Sequence, residues 1–308
     1  MKKPLSPRLC DLSEDQVLEL LLPELPSRRD VVIGPGDDCA AVRIPGSRDL
    51  LLLKTDCVVE GVHYLCEEDP ARVGRKALCR ALSDIGAMGG RPDHALVTIF
   101  TPKDREVAYW QAFYRGMAAA ARKYGVGIVG GETSHSAEAA VTVALTGRVE
   151  ARQVVTRAGG RAGHILFVTG RLGGSLRGKH LDFEPRLAQG QWLAQKGCAS
   201  AMMDLSDGLA ADLPRLAAAS GCGFEIDPAA LPRNPGCSVE QALTDGEDYE
   251  LLLAVPPKKA ALLPAAWKRT FPRLRLTRIG RLLKAGAKSS ALGAGFDHFF
   301  DCKLPRKG

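Results

Sequence analysis

The chain has 308 residues, 45% of them hydrophobic and 25% charged, and 42 Lys and Arg against 35 Asp and Glu leave a net charge of +7. That length suits two domains, and the composition excludes a disordered or fibrous protein. The sequence holds no run of about 18 apolar residues, so no membrane span is predicted.

The charge excess favours anionic partners. The basic residues are not clustered, however, and aromatics make up only 6%. Stacking platforms for nucleic acid are therefore scarce, and small phosphorylated ligands are the better expectation. Nine cysteines are scattered without any C-x-x-C spacing, which argues against zinc or a disulfide framework and for a reducing cytoplasm. The opening "MKKPLSPRLCDLSED" lacks the apolar stretch of a signal peptide.

In "LSEDQVLELLLPELP", Ser13 and Gln16 have capping-box spacing, which predicts a short helix. "VVIGPG", "DLLLLKTD" and "HALVTIF" read as strands. Between the last two, Val73, Ala77, Leu78, Ala81, Leu82 and Ile85 form a helical stripe that Gly89, Gly90 and Pro92 end. A helix over 104–124 stops at Gly125, and the strands "VGIVGGET" and "AAVTVALTGRVE" follow. "ARQVVTRAGGRAGH" is rich in Gly and Arg and marks a boundary. Beyond it come strand "HILFVTG", helix "RLAQGQWLAQKG", strand "ASAMMDLSDG", helix "LAADLPRLAAASG" and strand "CGFEID". Strand "EDYELLLAV", a helix over 257–270 and strand "LRLTRIGRLL" complete the pattern. The chain reads as two α/β (α+β) halves, 1–150 and 151–308.

Acids recur where apolar strands run out into small residues: Asp38 after "VVIGPG", Asp56 after "LLLLKT", Glu132 after "VGIVGG", and Asp204 and Asp207 in "DLSDGL". Asp84 lies within an otherwise apolar and basic helix. Ligands bind at strand ends in such folds. Converging carboxylates without cations destabilise a fold unless a metal supplies charge, and oxygen ligands without paired His or Cys point to Mg²⁺. Singly, each Asp is as well explained as a turn residue; together they favour the metal. "GGSLRGKH", residues 173–180, matches G-x-x-x-x-G-K, but His180 stands where a P-loop needs Ser or Thr.

The ordered set "GPGDDCAAV", "KTDCVVEGVHY", "KALCRALSDIGAMGGRP", "IVGGETS", "LTGRV", "VVTRAG", "DLSDGLAADL", "TDGEDYELLL", "IGRL" and "GFDHF" resembles the thiamine-monophosphate kinase family. That family belongs to the superfamily of aminoimidazole ribonucleotide synthetase and selenophosphate synthetase. The resemblance implies ATP- and Mg²⁺-dependent phosphorylation of thiamine monophosphate to thiamine diphosphate by direct in-line transfer. It also implies a homodimer in which the N-terminal sheets form a barrel, and a C-terminal α/β domain that completes the cleft.

By position, the resemblance makes Asp38, Thr55, Asp56, Asp84, Glu132, Asp204 and Asp207 metal ligands for several Mg²⁺ ions. Gly131, Glu132, Arg157 and Ser206 would bind ATP, and His63, Glu247 and Phe296 would line the substrate site. No catalytic side chain is implied: a phosphate acceptor, with its second pKa about 6, is already ionised at neutral pH. Glu132 replaces the family's usual Asp. Lys54 replaces a small hydroxyl residue, and its ammonium is expected to stand in for part of one metal charge. Two alternatives stay open: a catalytically impaired homologue that holds nucleotide or thiamine phosphate, and a superfamily enzyme with another phosphorylated substrate.

Overall fold

A computed structural model of the protein describes residues 7–299. The first helix, α1 (Glu14–Leu21), forms as expected: the Ser13 hydroxyl accepts from the Gln16 N–H, and the Gln16 side chain accepts from the Ser13 N–H. The strands β1 (Val31–Ile33), β2 (Ala40–Arg43) and β3 (Asp49–Val59) follow, then α2 (Pro70–Ala87), β4 (Arg91–Thr101), α3 (Val107–Tyr124), β5 (Gly127–His135) and β6 (Ala140–Glu150). They build a six-stranded sheet in the order β1-β2-β3-β6-β4-β5. Leu52, Val58, Val97 and Val143 face α2 and α3, where Val73, Leu78, Phe113 and Met117 complete a core. The opposite face keeps Leu53, Leu96, Phe100 and Val129 exposed, Val129 by 62%.

The second sheet uses β7 (Ile165–Thr169), β8 (Ala201–Asp204), β9 (Gly223–Ile226), β10 (Leu251–Val255) and β11 (Leu276–Leu283), ordered β8-β10-β7-β11-β9. Between these strands lie α4 (Lys179–Asp182), α5 (Leu187–Gln195), α6 (Leu209–Ala219), α7 (Val239–Thr244), α8 (Pro257–Ala260) and α9 (Leu263–Thr270). Leu166, Val168, Met203 and Leu252 pack with Leu209, Leu213 and Leu243 of α6 and α7 on one face. Phe167, Met202, Leu251 and Leu253 pack with Leu193 and Trp267 of α5 and α9 on the other. Coverage of both faces explains why β10 is apolar at every position.

Strand–helix alternation suggests parallel βαβ units, yet among the described strands only β4 and β5, joined through α3, run parallel. β6 returns between β3 and β4 and pairs antiparallel with both, and the second sheet is antiparallel throughout. The helix expected over 257–270 divides into α8 and α9, because Pro264 has no N–H to donate and fits only a first turn. Helix α7 escaped the sequence reading although Ser238 and Gln241 form its capping box.

Helix α2 joins the two halves. Thirteen of its 18 residues are buried, because α3 and the first sheet cover one side while α4, α5 and β8 cover the other. A Cβ at Gly190 of α5 would lie 1.8 Å from the Gly86 carbonyl oxygen, so these helices touch backbone to backbone. Among the described residues no helix is long and apolar enough to cross a membrane. The eight described cysteines are free; Cys302 lies outside the described residues.

Candidate active site

A helix buried on all sides must pair its charges. Lys76, Arg80 and Asp84 follow one another at four-residue spacing and so share one stripe of α2. Asp84 meets Asp38, from the loop before β2, and Asp204, at the end of β8. One carboxylate oxygen from each lies within 4.8 Å of the others, and the three residues are 6%, 2% and 3% exposed. Asp38 Oδ2 is buried without a hydrogen-bond partner among the described residues.

Two cations stand at the rim. Lys54 Nζ donates to Asp84 Oδ1 at 2.8 Å. Arg157 donates to Asp38 Oδ1 from Nη2 at 2.6 Å and from Nε at 3.1 Å. The neighbouring Asp37 accepts from the backbone N–H groups of both Asp38 and Arg157. The aspartate doublet thus divides into a buttress, Asp37, and an acid, Asp38, that faces the cluster with Arg157 on one oxygen. Ser83 Oγ donates to Asp204 Oδ2 at 2.5 Å.

Burial raises the carboxyl pKa of all three acids, and neighbouring acids add to it: Asp37 on Asp38, Asp204 on Asp84, and Asp38 on Asp204, which reaches about 7. Burial opposes charge on Lys54, but Asp84 and Asp56 hold its ammonium protonated, above the usual lysine range. Three hard oxygen donors with one orphaned oxygen and no His or Cys among them fit a divalent cation of the Mg²⁺ type.

Beside the acids opens a cavity of about 780 Å³ lined by His63, Arg80, Ser206, Asp207, Glu247 and Phe296, among others. His63 Nδ1 accepts from the Val59 N–H at 3.1 Å, which places the ring proton on Nε2. That nitrogen is buried and has no partner among the described residues. Burial, then Arg80, lowers the His63 pKa to about 3, so the neutral ring offers an N–H donor.

Glu247 and Tyr249 adopt left-handed φ of 55° and 50°, held by N–H bonds to the carbonyls of Ser206 and Leu205. Such strain concentrates at binding sites. Glu247 pairs with Lys76 and with Arg80 Nη1, the latter at 3.1 Å. Burial would raise its pKa, but Lys76 in particular holds the carboxyl well below the ordinary range. Phe296 is anchored by its N–H on the Asp207 carbonyl at 3.0 Å, and its ring meets His298 edge-on at 4.9 Å.

The family model described as AIR synthase related protein matches twice, its N-terminal domain over residues 36–149 and its C-terminal domain over 160–290. The chain is 36% identical over 271 residues to the thiamine-monophosphate kinase of Rhodopirellula baltica, covering 82% of this chain and 84% of that protein. It is 36% identical over 306 residues to the enzyme of the same name from Aquifex aeolicus, covering 89% and 93%. The chain belongs to the thiamine-monophosphate kinase family. A solved structure described as AaThiL complexed with AMPPCP and TMP superposes with a TM-score of 0.82 at 33% identity, covering 96% of this chain and all of that one.

Against this thiamine-monophosphate kinase background, the structure brings together only part of the expected set. Asp38, Asp84 and Asp204 meet. Asp56 lies beside them but pairs with Arg80 at 3.1 Å, and Asp207 pairs with Arg215 at the cavity wall. Ser206, His63, Glu247 and Phe296 share the cavity. Thr55 does not join the acids: strand alternation turns Lys54 and Asp56 inward and Thr55 outward, beside Leu53, Leu96 and Val129.

Glu132 is exposed on β5, where its own Oε1 accepts from the Thr133 N–H. Gly131 has a packing reason of its own, since a Cβ there would lie 1.8 Å from the Val97 carbonyl oxygen across the strand pair. "GGSLRGKH" makes a short helical turn and the four-residue α4 rather than a phosphate cradle. His180 is buried there, with Nδ1 2.9 Å from Lys76 Nζ. The sequence reading missed Lys76, Arg80 and His180; the four-residue step from Asp84 back to Lys76 was the available signal.

The Lys54–Asp84 contact gives the expectation for Lys54 a geometry. A like charge about 4 Å from a bound cation opposes it by at least ~1 kcal/mol. Lys54→Thr is therefore expected to tighten Mn²⁺ binding, followed by electron paramagnetic resonance, about tenfold. Unchanged affinity and stoichiometry would show that the ammonium takes no cation's place.

Proposed function

We propose that the protein phosphorylates thiamine monophosphate to thiamine diphosphate, using ATP and Mg²⁺, by direct in-line transfer. The observation that carries this is the position of the cavity. His63, Glu247 and Phe296 line it, and Ser206 and Asp207 lead from it to the three buried acids. Mg²⁺ ions held by Asp38, Asp84 and Asp204, with Asp56 and Asp207 at the margin, would supply the positive charge needed between two polyanions. The His63 Nε2–H and the Glu247 carboxylate give an acceptor one donor and one acceptor, and Phe296 offers a ring face for a heterocycle.

Arg157 and Ser206 would meet the donor nucleotide. Gly131 and Glu132 lie on β5, the far edge of the first sheet from β1 and β2, and would reach a nucleotide only through a second copy. No side chain is needed as a base, because the attacking phosphate oxygen is ionised near neutral pH. The free cysteines suit a reducing cytoplasm.

A homodimer belongs to the same proposal. Leu53, Leu96, Phe100 and Val129 leave an apolar face on the first sheet. A second copy would cover it, and Thr55 and Glu132 would enter a site only through that assembly. Leu96→Asp is expected to shift sedimentation from dimer to monomer; a variant that still sediments with wild type would remove this surface from the interface.

Phosphorus NMR of the protein with MgATP and thiamine monophosphate tests the activity. ADP and thiamine diphosphate appearing together are expected. Nucleotide binding without product would favour a silent binding homologue, the reading that the Lys54–Asp84 pair and the exposed Glu132 support.

A further inference from the structure

Arg80 is the cation that joins the acids to the cavity, and nothing in the family motifs assigns it a role. It sits on α2 one turn from Lys76 and one turn from Asp84, and its side chain is 11% exposed. Its Nε donates to Asp56 Oδ1 and its Nη1 to Glu247 Oε1, both at 3.1 Å, and it lines the cavity. A guanidinium carries five N–H donors in a planar fork suited to phosphate. These two bonds leave donors for a ligand.

The local charges balance: Lys76 and Arg80 against Asp56 and Glu247. If Asp56 serves the cation site, as proposed above, that balance is broken and one positive charge is left over beside the cavity. Glu247 keeps Lys76 as its own partner. The surplus charge belongs to Arg80, and the ligand that cancels it is an anion.

We propose that Arg80 is a specificity-determining residue that binds the phosphate of the acceptor. The inference rests on the kinase reading and deepens it. An unphosphorylated thiamine carries only its positive thiazolium ring, which the Arg80 charge repels. The monophosphate brings the anion that the charge attracts. One residue thus selects for the right acceptor and against the wrong one.

The test is calorimetric binding of thiamine monophosphate, and separately of thiamine, in the presence of Mg²⁺ and a non-hydrolysable ATP analogue. Arg80→Gln is expected to weaken thiamine monophosphate about tenfold to a hundredfold, the range for charge-assisted hydrogen bonds, without weakening thiamine. Arg80→Lys keeps the charge but not the fork, and is expected to show a smaller loss with the same selectivity. Affinity for the nucleotide analogue should stay within about twofold and reports that each variant is folded; if Arg80→Gln does not fold, Arg80→Lys carries the test. Equal losses for both acceptors, or no loss for the monophosphate in a variant that still binds nucleotide, would overturn the proposal. Wild-type protein that binds nucleotide but not thiamine monophosphate would overturn the kinase reading and this proposal with it.

Discussion

Asp204→Asn is expected to lower kcat on the order of a thousandfold, in line with the loss of a preorganised electrostatic group, and to stabilise the metal-free protein. Both effects have one origin. The carboxylate is 3% exposed and faces Asp38 and Asp84, and burial together with Asp38 raises its pKa from 3.8 to about 7. A folded-state pKa above the unfolded one means that the fold prefers the protonated acid. The contribution of this group to stability is therefore greatest below about pH 4 and is lost as pH rises through 7.

An asparagine carries no charge, and its carbonyl oxygen can still accept the Ser83 hydroxyl. The variant should gain on the order of 2 kcal/mol above pH 7, since one pK unit is about 1.4 kcal/mol and some of the shift is relieved by relaxation. That gain should vanish near pH 4. Thermal melts in chelator at pH 8 and pH 4 check this; a variant less stable than wild type at pH 8 would mean that the acids are not in conflict.

Glu247→Gln is expected to act in the opposite direction, destabilising the fold by about 3 kcal/mol at neutral pH. Lys76 is wholly buried, and burial lowers its pKa to about 8. Removing one partner of a buried ion pair leaves the other charge uncompensated, which typically costs about 3–5 kcal/mol. The His63 carbonyl and His180 Nδ1 remain beside Lys76 and place the effect near the lower end.

The pH dependence follows from the depressed Glu247 pKa. Its stabilisation is complete above the ordinary glutamate value of 4.5 and is lost as pH falls below it. Urea unfolding should therefore separate wild type and variant widely at pH 7 and bring them together in acid. A gap independent of pH would show that the ion pair is not its source.

How much of this site the sequence disclosed depends on the kind of regularity each residue obeys. The α2 stripe from Val73 to Ile85 has a period that marks the helix and its core side. Asp38 and Asp204 stood out as acids beside small residues where apolar strands run out, and Asp84 as an acid inside an apolar and basic helix; the structure brings the three together. Thr55 came from the motif alone; the structure turns it outward on β3, away from the three acids, and "DLLLLKTD", with leucine on both faces, does not show which parity is inward.

Lys76 and Arg80 were passed over because charges on a helix ordinarily face water. Their burial comes from long-range neighbours, Asp56 on β3, His180 on α4 and Glu247 on its loop, which no helix periodicity announces. Strand direction was illegible for a related reason: spacing between strands says that a connection exists, not where the returning strand inserts.

The single stripe on α2 has a consequence for how such a protein can diverge. Residues four apart on a helix are separated by about 6 Å along its axis, so Lys76, Arg80 and Asp84 are stations on one rigid rod. Substitution at the second station, Arg80, which lines the cavity, would retune what is recognised and leave the third, on which the phosphoryl chemistry is proposed to depend, in place. A lineage can therefore trade one acceptor for another by single steps without passing through an inactive intermediate. An insertion or deletion between stations would turn those on one side by about 100° per residue against those on the other, so new specificity is open to point substitution and closed to changes of length.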